Sequence, residues 1–179
     1  MTLQIETVLE KCIGKDTDVV IPEGVTKIGD CAFSHCTSLT SVIIPESVTD
    51  IGDCAFWNCT ALESVTIPEG VKTIGRSMFH RCKSLKSVVI PESVTKIGEW
   101  AFDRCSSLTS VMIPESVTEI EYEAFNGCSS LTSVVIPEGA TEIGYGAFDG
   151  CPNLTIHAPK GSEAEEYAKR YNIKFEELA

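Results

Sequence analysis

The sequence lacks the features that several common classes of function require. Its 14 basic side chains are outnumbered by 26 acidic ones, which gives a net charge of −12. A surface of that sign repels phosphates, so we expect no nucleic-acid partner. Uninterrupted apolar runs reach only three or four residues, too short for a membrane span. Residues 1–6 lack a secretion signal, so either the protein stays where it is made or the chain is part of a longer exported one.

What the sequence does contain is a repeat with a period of 23 residues. Prolines fall at positions 22, 45, 68, 91, 114 and 137, always separated by this interval. The same interval carries three further columns, which run from Phe33 to Phe148, from Cys36 to Cys151 and from Leu39 to Leu154. A period in this range over six copies is typical of a solenoid, in which each copy forms one turn of a coil.

One copy of the repeat can be interpreted from its residue pattern. Residues 39–44 end in an alternation of side-chain direction, which places Val42 and Ile44 on one side of a short strand. The Pro-Glu-Ser segment at 45–47 predicts a turn, and residues 48–51 predict a second short extended piece. Residues 53–59 are too few for an ordinary helix and predict a single helical or 3₁₀ turn. An isolated copy leaves both of its flat sides exposed to solvent, so the copies must stack in order to fold.

We expect one domain over residues 1–179, with repeats at 22–158 and a cap at each end. The N-terminal cap at 1–21 is predicted to hold a strand at 7–12, which turns through 14–16 into 19–21. The C-terminal cap at 159–179 contains Ser-Glu-Ala-Glu at 162–165, a capping box that predicts a helix to about Tyr171. Residues 173–175 could add a last strand.

Residues 44–62, Ile-Pro-Glu-Ser-Val-Thr-Asp-Ile-Gly-Asp-Cys-Ala-Phe-Trp-Asn-Cys-Thr-Ala-Leu, closely resemble the BspA-like leucine-rich repeat family. The resemblance covers about residues 16–160. It implies an α/β repeat solenoid, a right-handed leucine-rich-repeat coil of six 23-residue turns, with short strands and one helical or 3₁₀ turn per repeat. It also implies a secreted or cell-surface protein, used for adhesion or for binding host or matrix proteins, with no catalytic residues. Glu121 in place of glycine and Met78 in place of alanine are mild departures.

Candidate catalytic groups are scarce. The three histidines are His35, His80 and His157, and the first two occupy different columns of the repeat. The serines recur as a ladder that suits a strand face, and no glycine-rich phosphate loop is present. We therefore expect no enzyme and no cofactor.

Cysteine recurs in one column of six, and the simplest interpretation is a row of buried free thiols that pack as small apolar groups. Disulfides along this column are disfavoured, because equivalent positions on adjacent turns hold parallel side chains. Cys31 and Cys54 form a second column that could be partly exposed. The rival hypothesis for function is metal binding, by the cysteine column or by the glutamates that follow the prolines, Glu23, Glu46, Glu69, Glu92, Glu115 and Glu138.

Two surfaces are candidates for binding a protein ligand. On the strand face, a hydroxyl row lies beside a mostly apolar row, and exposed apolar rows of this kind often mark interaction sites. The alternative is that the β-branched residues are there for strand propensity alone. The candidate strand-face residues are Ser41, Ile43, Ser64, Thr66, Ser87, Val89, Ser110, Met112, Ser133 and Val135.

The second candidate surface is the least repetitive part of the unit, around the predicted helical turn. It is rich in the residue types that most often anchor protein contacts, although tolerated surface variation would give the same pattern. The candidate edge residues are Trp57, His80, Arg81, Trp100, Arg104, Tyr122 and Tyr145. The function that we predict is a non-enzymatic protein-binding scaffold, with metal binding as the alternative; a purely structural spacer would have no ligand at all.

Overall fold

The computed structural model describes residues 7–9 and 16–178. The strands, in chain order, are β1 (Thr7–Leu9), β2 (Asp18–Val20), β3 (Val25–Ile28), β4 (Ser41–Ile43), β5 (Asp50–Ile51), β6 (Ser64–Thr66), β7 (Thr73–Ile74), β8 (Ser87–Val89), β9 (Lys96–Ile97), β10 (Ser110–Met112), β11 (Glu119–Ile120), β12 (Ser133–Val135), β13 (Glu142–Ile143), β14 (Thr155–Ala158) and β15 (Lys174–Glu177). One helix, α1 (Glu163–Tyr171), lies between the last two strands.

The strands form two rows along a solenoid, and every recorded strand pair in the described chain is parallel. The first row contains the sheets β2-β4-β6-β8 and β10-β12-β14-β15, and the second contains β1-β3-β5 and β7-β9-β11-β13. Pairing advances by one repeat, as in Ser64 opposite Ser87 and Ile74 opposite Ile97. The predicted repeat solenoid is confirmed, because residues 23 apart in sequence lie side by side.

The strands of the first row from β2 to β12 are short because a proline begins a turn two residues after each of them ends. Val42 is buried while Ile43 is 61% exposed, as the alternation predicts. The amide of Val48 then donates to the carbonyl of Pro45 at 3.0 Å, which closes the turn and leads the chain into β5. The same proline turn recurs down the coil, and it keeps the two rows of strands in register.

The segment predicted as a helical or 3₁₀ turn keeps the short-range hydrogen bonds of a 3₁₀ turn but not a continuous right-handed backbone. The amide of Ser34 donates to the carbonyl of Cys31 at 3.0 Å. Cys31 and His35 both have positive φ, at 55° and 62°, which breaks any helix into separate tight turns. Amides at alternate positions are then free to donate to the next turn, as Phe33 does to the carbonyl of Ala55 at 2.8 Å.

The core is a continuous column of stacked phenylalanine rings. Neighbouring ring centroids are 5.0 to 5.4 Å apart, and their planes differ by 4 to 12°. The helix α1 covers the open end of this column, where Tyr167 packs edge-on against Phe148 at 5.9 Å. The hydroxyl of Tyr167 also accepts a hydrogen bond from the amide of Phe148 at 3.3 Å, so the cap replaces contacts that a further turn would supply.

A strand extends one of the two rows at each end of the solenoid. At the C-terminus, the Ser162 hydroxyl accepts from the amide of Glu165, and the Glu165 carboxylate accepts from the amide of Gly161 instead of that of Ser162. Strand β15 then pairs with β14 and extends the first row. At the N-terminus, β1 pairs with β3 and extends the second row. Residues 10–12 of the strand predicted at 7–12, and residues 14–15 of the turn predicted at 14–16, lie outside the described residues.

The glycines that precede the tight-turn segments have no positive φ, and several of them allow a close approach to the previous turn. A Cβ atom added to Gly98 would lie 2.8 Å from the carbonyl oxygen of Ile74 on the previous turn. Glu121, which occupies the same column, also has a negative φ. The substitution at 121 is therefore compatible with the backbone, as the sequence suggests.

Candidate binding surfaces

The strand face presents both predicted rows to solvent. In the apolar row, Ile43 is 61% exposed, Val89 is 56% exposed and Met112 is 72% exposed. Thr66 is also exposed and Val135 is half-buried. Val20 of β2, which pairs with Ile43, extends the row by one turn at its N-terminal end. We call these residues the apolar row.

The serine row lies beside the apolar row on the same face. Ser64, Ser87 and Ser110 are exposed, while Ser41 and Ser133 are half-buried. The serines form a row because the strands pair in register, as Ser41 does with Ser64. The structure places both rows on the surface, and their part in binding stays a prediction.

On the edge formed by the tight turns, an open groove of about 520 Å³ brings together five of the seven predicted edge residues. These are Trp57, His80, Arg81, Trp100 and Arg104. We call this feature the edge groove. It crosses four turns of the solenoid, because residues 23 apart lie next to one another.

One side of the edge groove is organised around a buried carboxylate. Trp57 lies between the rings of His35 and His80, at centroid distances of 4.9 and 6.2 Å. The Nδ1 atom of His80 is 2.9 Å from Asp103 Oδ2, and Asn126 donates to Asp103 Oδ1 at 2.8 Å. Asp103 is only 3% exposed, so these neighbours replace the water that its charge requires.

The other side of the edge groove is organised around Trp100. The guanidinium of Arg76 lies 4.8 Å from the ring centroid of Trp100, and the indole N–H of Trp100 donates to Glu123 Oε2 at 3.0 Å. Tyr122 also hydrogen-bonds to Glu123, and this bond raises the pKa of the Tyr122 hydroxyl. Arg76 is held in addition by Glu99, at 3.6 Å.

Tyr122 and Tyr145, the other two predicted edge residues, lie outside the groove. They continue an aromatic line from Trp100 towards the C-terminal cap, with centroid distances of 5.6, 6.2 and 6.1 Å along Trp100, Tyr122, Tyr145 and Tyr171. Sequence reasoning missed Arg76, Asp103 and Glu123. Each of them shares a variable column with a residue that was named, so reading whole columns would have found them.

A family model described as the BspA type leucine-rich repeat region matches the chain in six copies, over residues 7–129 and 55–169. The matched residues cover most of the chain and follow the same 23-residue units that form the turns. This chain belongs to the BspA-type leucine-rich repeat family. No protein of curated function matches it.

Several solved bacterial structures share the BspA-type solenoid seen in this chain. A leucine-rich repeat protein from Bacteroides ovatus is 35% identical, with a TM-score of 0.79, over 91% of this chain and 42% of that one. A leucine-rich repeat protein from T. pallidum is 32% identical, with a TM-score of 0.75, over 94% of this chain and 89% of that one. A leucine rich cell surface protein from Faecalibacterium prausnitzii is 33% identical, with a TM-score of 0.56, over 86% of this chain and 34% of that one.

The cysteine column of this BspA-type chain is a hydrogen-bonded ladder of free thiols. Each of five thiols donates to the carbonyl of the phenylalanine 26 residues earlier, as Cys105 does to Phe79 at 3.1 Å. Burial raises the pKa of Cys82, Cys105 and Cys128 well above the usual range, and that of Cys151 to about 12. The thiols therefore stay protonated near neutral pH, with their hydrogens committed to the backbone.

The metal-binding alternative finds no ligand group in the described part of the BspA-type chain. No cluster of three or more His, Cys, Asp or Glu side chains there is arranged to hold an ion. The glutamates after the prolines lie exposed on the turns, and the Glu46 carboxylate accepts from the amide of Glu69 at 3.2 Å. Among residues 7–9 and 16–178, no helix has the length and apolar character that crossing a membrane requires.

Thiol alkylation tests the ladder directly. In the native protein, iodoacetamide should modify the exposed Cys31 first and leave Cys82, Cys105 and Cys128 unmodified until denaturant is added. Peptide mapping by mass spectrometry measures the modification at each site, and Cys31→Ser serves as the control that removes the early product. Rapid labelling of Cys105 in the folded protein would contradict the buried ladder.

Proposed function

We propose that this chain is a non-enzymatic protein-binding scaffold that acts in adhesion or ligand recognition at a cell surface. The observation that carries the proposal is the apolar row, in which Ile43, Val89 and Met112 are more than half exposed on a regular strand face. Exposed apolar surface on a strand face often marks interaction sites. The similarity to a leucine rich cell surface protein from Faecalibacterium prausnitzii supports the proposed location.

The strand face also suits binding because it is rigid before any ligand arrives. Its side chains sit on strands whose other faces are packed in the core, as Val65 and Val111 are at 3% and 4% exposure. A preformed surface loses little conformational entropy on association, so more of the contact energy appears as affinity. The serines beside the apolar row supply hydroxyl donors and acceptors for the polar groups of a protein partner.

The one histidine in the edge groove makes structural contacts. The Nδ1 atom of His80 faces the buried Asp103, and its ring packs against Trp57. These neighbours hold the imidazole as part of the surface, which supports a scaffold in preference to an enzyme. The family to which the chain belongs is built from repeat scaffolds of the same kind.

A binding survey against purified extracellular-matrix and host-surface proteins tests the proposal. A protein that binds the wild-type chain should bind at least tenfold more weakly to the triple variant Ile43→Thr, Val89→Thr, Met112→Thr. Threonine is chosen because Thr66 already occupies this row, so thermal unfolding should be almost unchanged. Surface plasmon resonance measures the affinity and circular dichroism the melting temperature.

The matched control is Thr66→Val, which restores an apolar side chain within the row and should tighten binding. The proposal fails if no purified surface or matrix protein binds the chain. It also fails if the affinity is the same as that of the wild type in the triple variant, in Thr66→Val and in variants of the edge groove.

A further inference from the structure

Arginine and tryptophan are concentrated in the edge groove. Three of the four arginines in the sequence, Arg76, Arg81 and Arg104, line it, together with both tryptophans. The chain as a whole carries a net charge of −12. Three carboxylates, those of Asp53, Asp103 and Glu123, also line the groove, and each accepts a hydrogen bond from within the chain. The exposed guanidiniums are the less fully paired charges of the groove, so they favour a ligand of negative charge.

Several side chains of the edge groove offer hydrogen-bond donors that are not fully paired. Within the described residues, the guanidinium of Arg81 is exposed and has no ion pair. Arg104 is 58% exposed and its Nε lies 3.8 Å from Asp103, whose oxygens are already engaged by His80 and Asn126. The indole N–H of Trp57 is buried and has no partner among the described residues. Of these donors, the exposed guanidiniums of Arg81 and Arg104 are within reach of a ligand, and a ligand that pairs with them supplies acceptors.

Two arginines of the edge groove lie at left-handed backbone positions of the repeat. Arg81 and Arg104 have positive φ, at 62° and 58°, a conformation that disfavours any residue with a Cβ. The equivalent positions in the next two turns are Gly127 and Gly150, with φ of 69° and 72°. Glycine therefore satisfies the same turn without strain. His35 and Asn58 share this column with φ of 62° and 59°, so the conformation belongs to the repeat, and glycine in place of either arginine should keep the turn.

Resting on the proposed function of protein binding, we propose that the edge groove binds a carboxylate-rich segment of the protein partner, with Arg81 and Arg104 as the paired receptors for its side chains. The two arginines belong to successive turns, so their backbones are about 4.8 Å apart. Guanidinium groups bind carboxylates through two parallel hydrogen bonds each. The groove thus matches an acidic peptide segment that lies along the solenoid axis.

An acidic peptide fits this groove better than a sugar does. A pyranose ring binds by stacking on an open aromatic face. Trp57 already lies between His35 and His80, and one face of Trp100 is covered by Arg76. The tryptophans therefore form the walls of the groove and leave the polar recognition to the arginines.

The net charge of the rest of the chain sharpens the specificity. An acidic peptide is repelled by a surface of net charge −12, so it gains attraction only where the arginines are concentrated. Binding should weaken as salt is added, because Arg81 and Arg104 are exposed to solvent.

Titration of the full chain with an oligoglutamate peptide, followed by tryptophan fluorescence, tests the proposal. Because both tryptophans line the groove, any change in emission reports on it. We expect a saturable change, and an affinity at least roughly tenfold lower in the double variant Arg81→Gly, Arg104→Gly. Glycine suits both backbone positions, so this variant should remain folded, which circular dichroism verifies. The matched control is Arg170→Ala, which removes one arginine outside the groove and should leave the affinity unchanged.

Three results would overturn the proposal. The first is the absence of any saturable change with oligoglutamate at low salt. The second is equal weakening by Arg170→Ala, which would mean that the peptide senses only overall charge. The third is a saturable response to a sialylated or neutral glycan that oligoglutamate does not reproduce. Each of these leaves the protein-binding scaffold intact if the apolar row still binds a matrix or surface protein, so the two failures can be told apart.

Discussion

Replacing Phe102 with alanine is expected to lower the free energy of unfolding by about 4 kcal/mol. Phe102 is completely buried at the middle of the phenylalanine column, with Phe79 and Phe125 at centroid distances of 5.3 and 5.0 Å. Truncation removes contacts with both neighbouring turns and leaves a cavity, since rings held in register by the backbone on either side cannot collapse into the gap. Urea unfolding of the full chain, followed by circular dichroism, measures the change.

Two comparison variants make this prediction specific to stacking. Phe102→Leu keeps most of the buried volume and should cost only about 1 kcal/mol. Tyr145→Ala removes an aromatic ring that is 65% exposed and should change stability by less than about 0.5 kcal/mol. A loss for Phe102→Ala as small as that for Tyr145→Ala would contradict a continuous column through the solenoid.

The repeat architecture could be predicted from sequence because the period of 23 assigns each residue to a column. Once the columns are known, the stacking of Phe33 on Phe56 and the pairing of Ser64 with Ser87 follow without further information. The alternation in each strand likewise predicts which side chains are buried and which form the apolar row. These features depend only on periodicity, which is the strongest signal in the sequence.

The backbone of the tight turns could not be predicted in the same way. Positive φ is usually indicated by glycine or asparagine, and the last copies do show Gly127, Gly146 and Gly150. In the earlier copies the same positions hold residues such as Cys54 and Trp100, whose types give no hint of a left-handed conformation. The helical or 3₁₀ prediction therefore captured the hydrogen bonds and missed the reversals between them.

The edge groove could be predicted only in part. Contacts between residues 23 apart, such as His80 with Asp103 and Trp100 with Glu123, follow from the repeat. Contacts offset from that interval, such as Arg76 over Trp100, depend on side-chain rotamers that the period does not encode. The proposed ligand contacts depend on these non-repeating residues, so the sequence indicates the fold much more strongly than the partner.

Mild alkali is expected to destabilise the protein steeply. In the unfolded chain a cysteine thiol ionises at about pH 8.5, while burial raises the pKa of Cys82, Cys105 and Cys128 well above that value and that of Cys151 to about 12. Between the unfolded and folded pKa values the native state holds more protons, so a rise in pH favours unfolding. The stabilisation is complete below about pH 8.5. Above that pH, each buried thiol lowers the free energy of unfolding by up to about 1.4 kcal/mol per pH unit.

The thiol ladder can be separated from general alkaline denaturation by a single substitution. Cys105→Ser keeps a donor for the carbonyl of Phe79 but does not ionise in this range, so it should make the fall in stability with pH shallower by about 1.4 kcal/mol per unit. Its stability near neutral pH is lower, because a buried hydroxyl is less apolar than a thiol, but the slope is independent of that offset. Urea unfolding at several pH values between about 8.5 and 10, with a reducing agent present, measures the slope. Parallel curves for the wild type and Cys105→Ser would mean that this thiol ionises as freely in the folded chain as in the unfolded one, which a fully buried ladder does not allow.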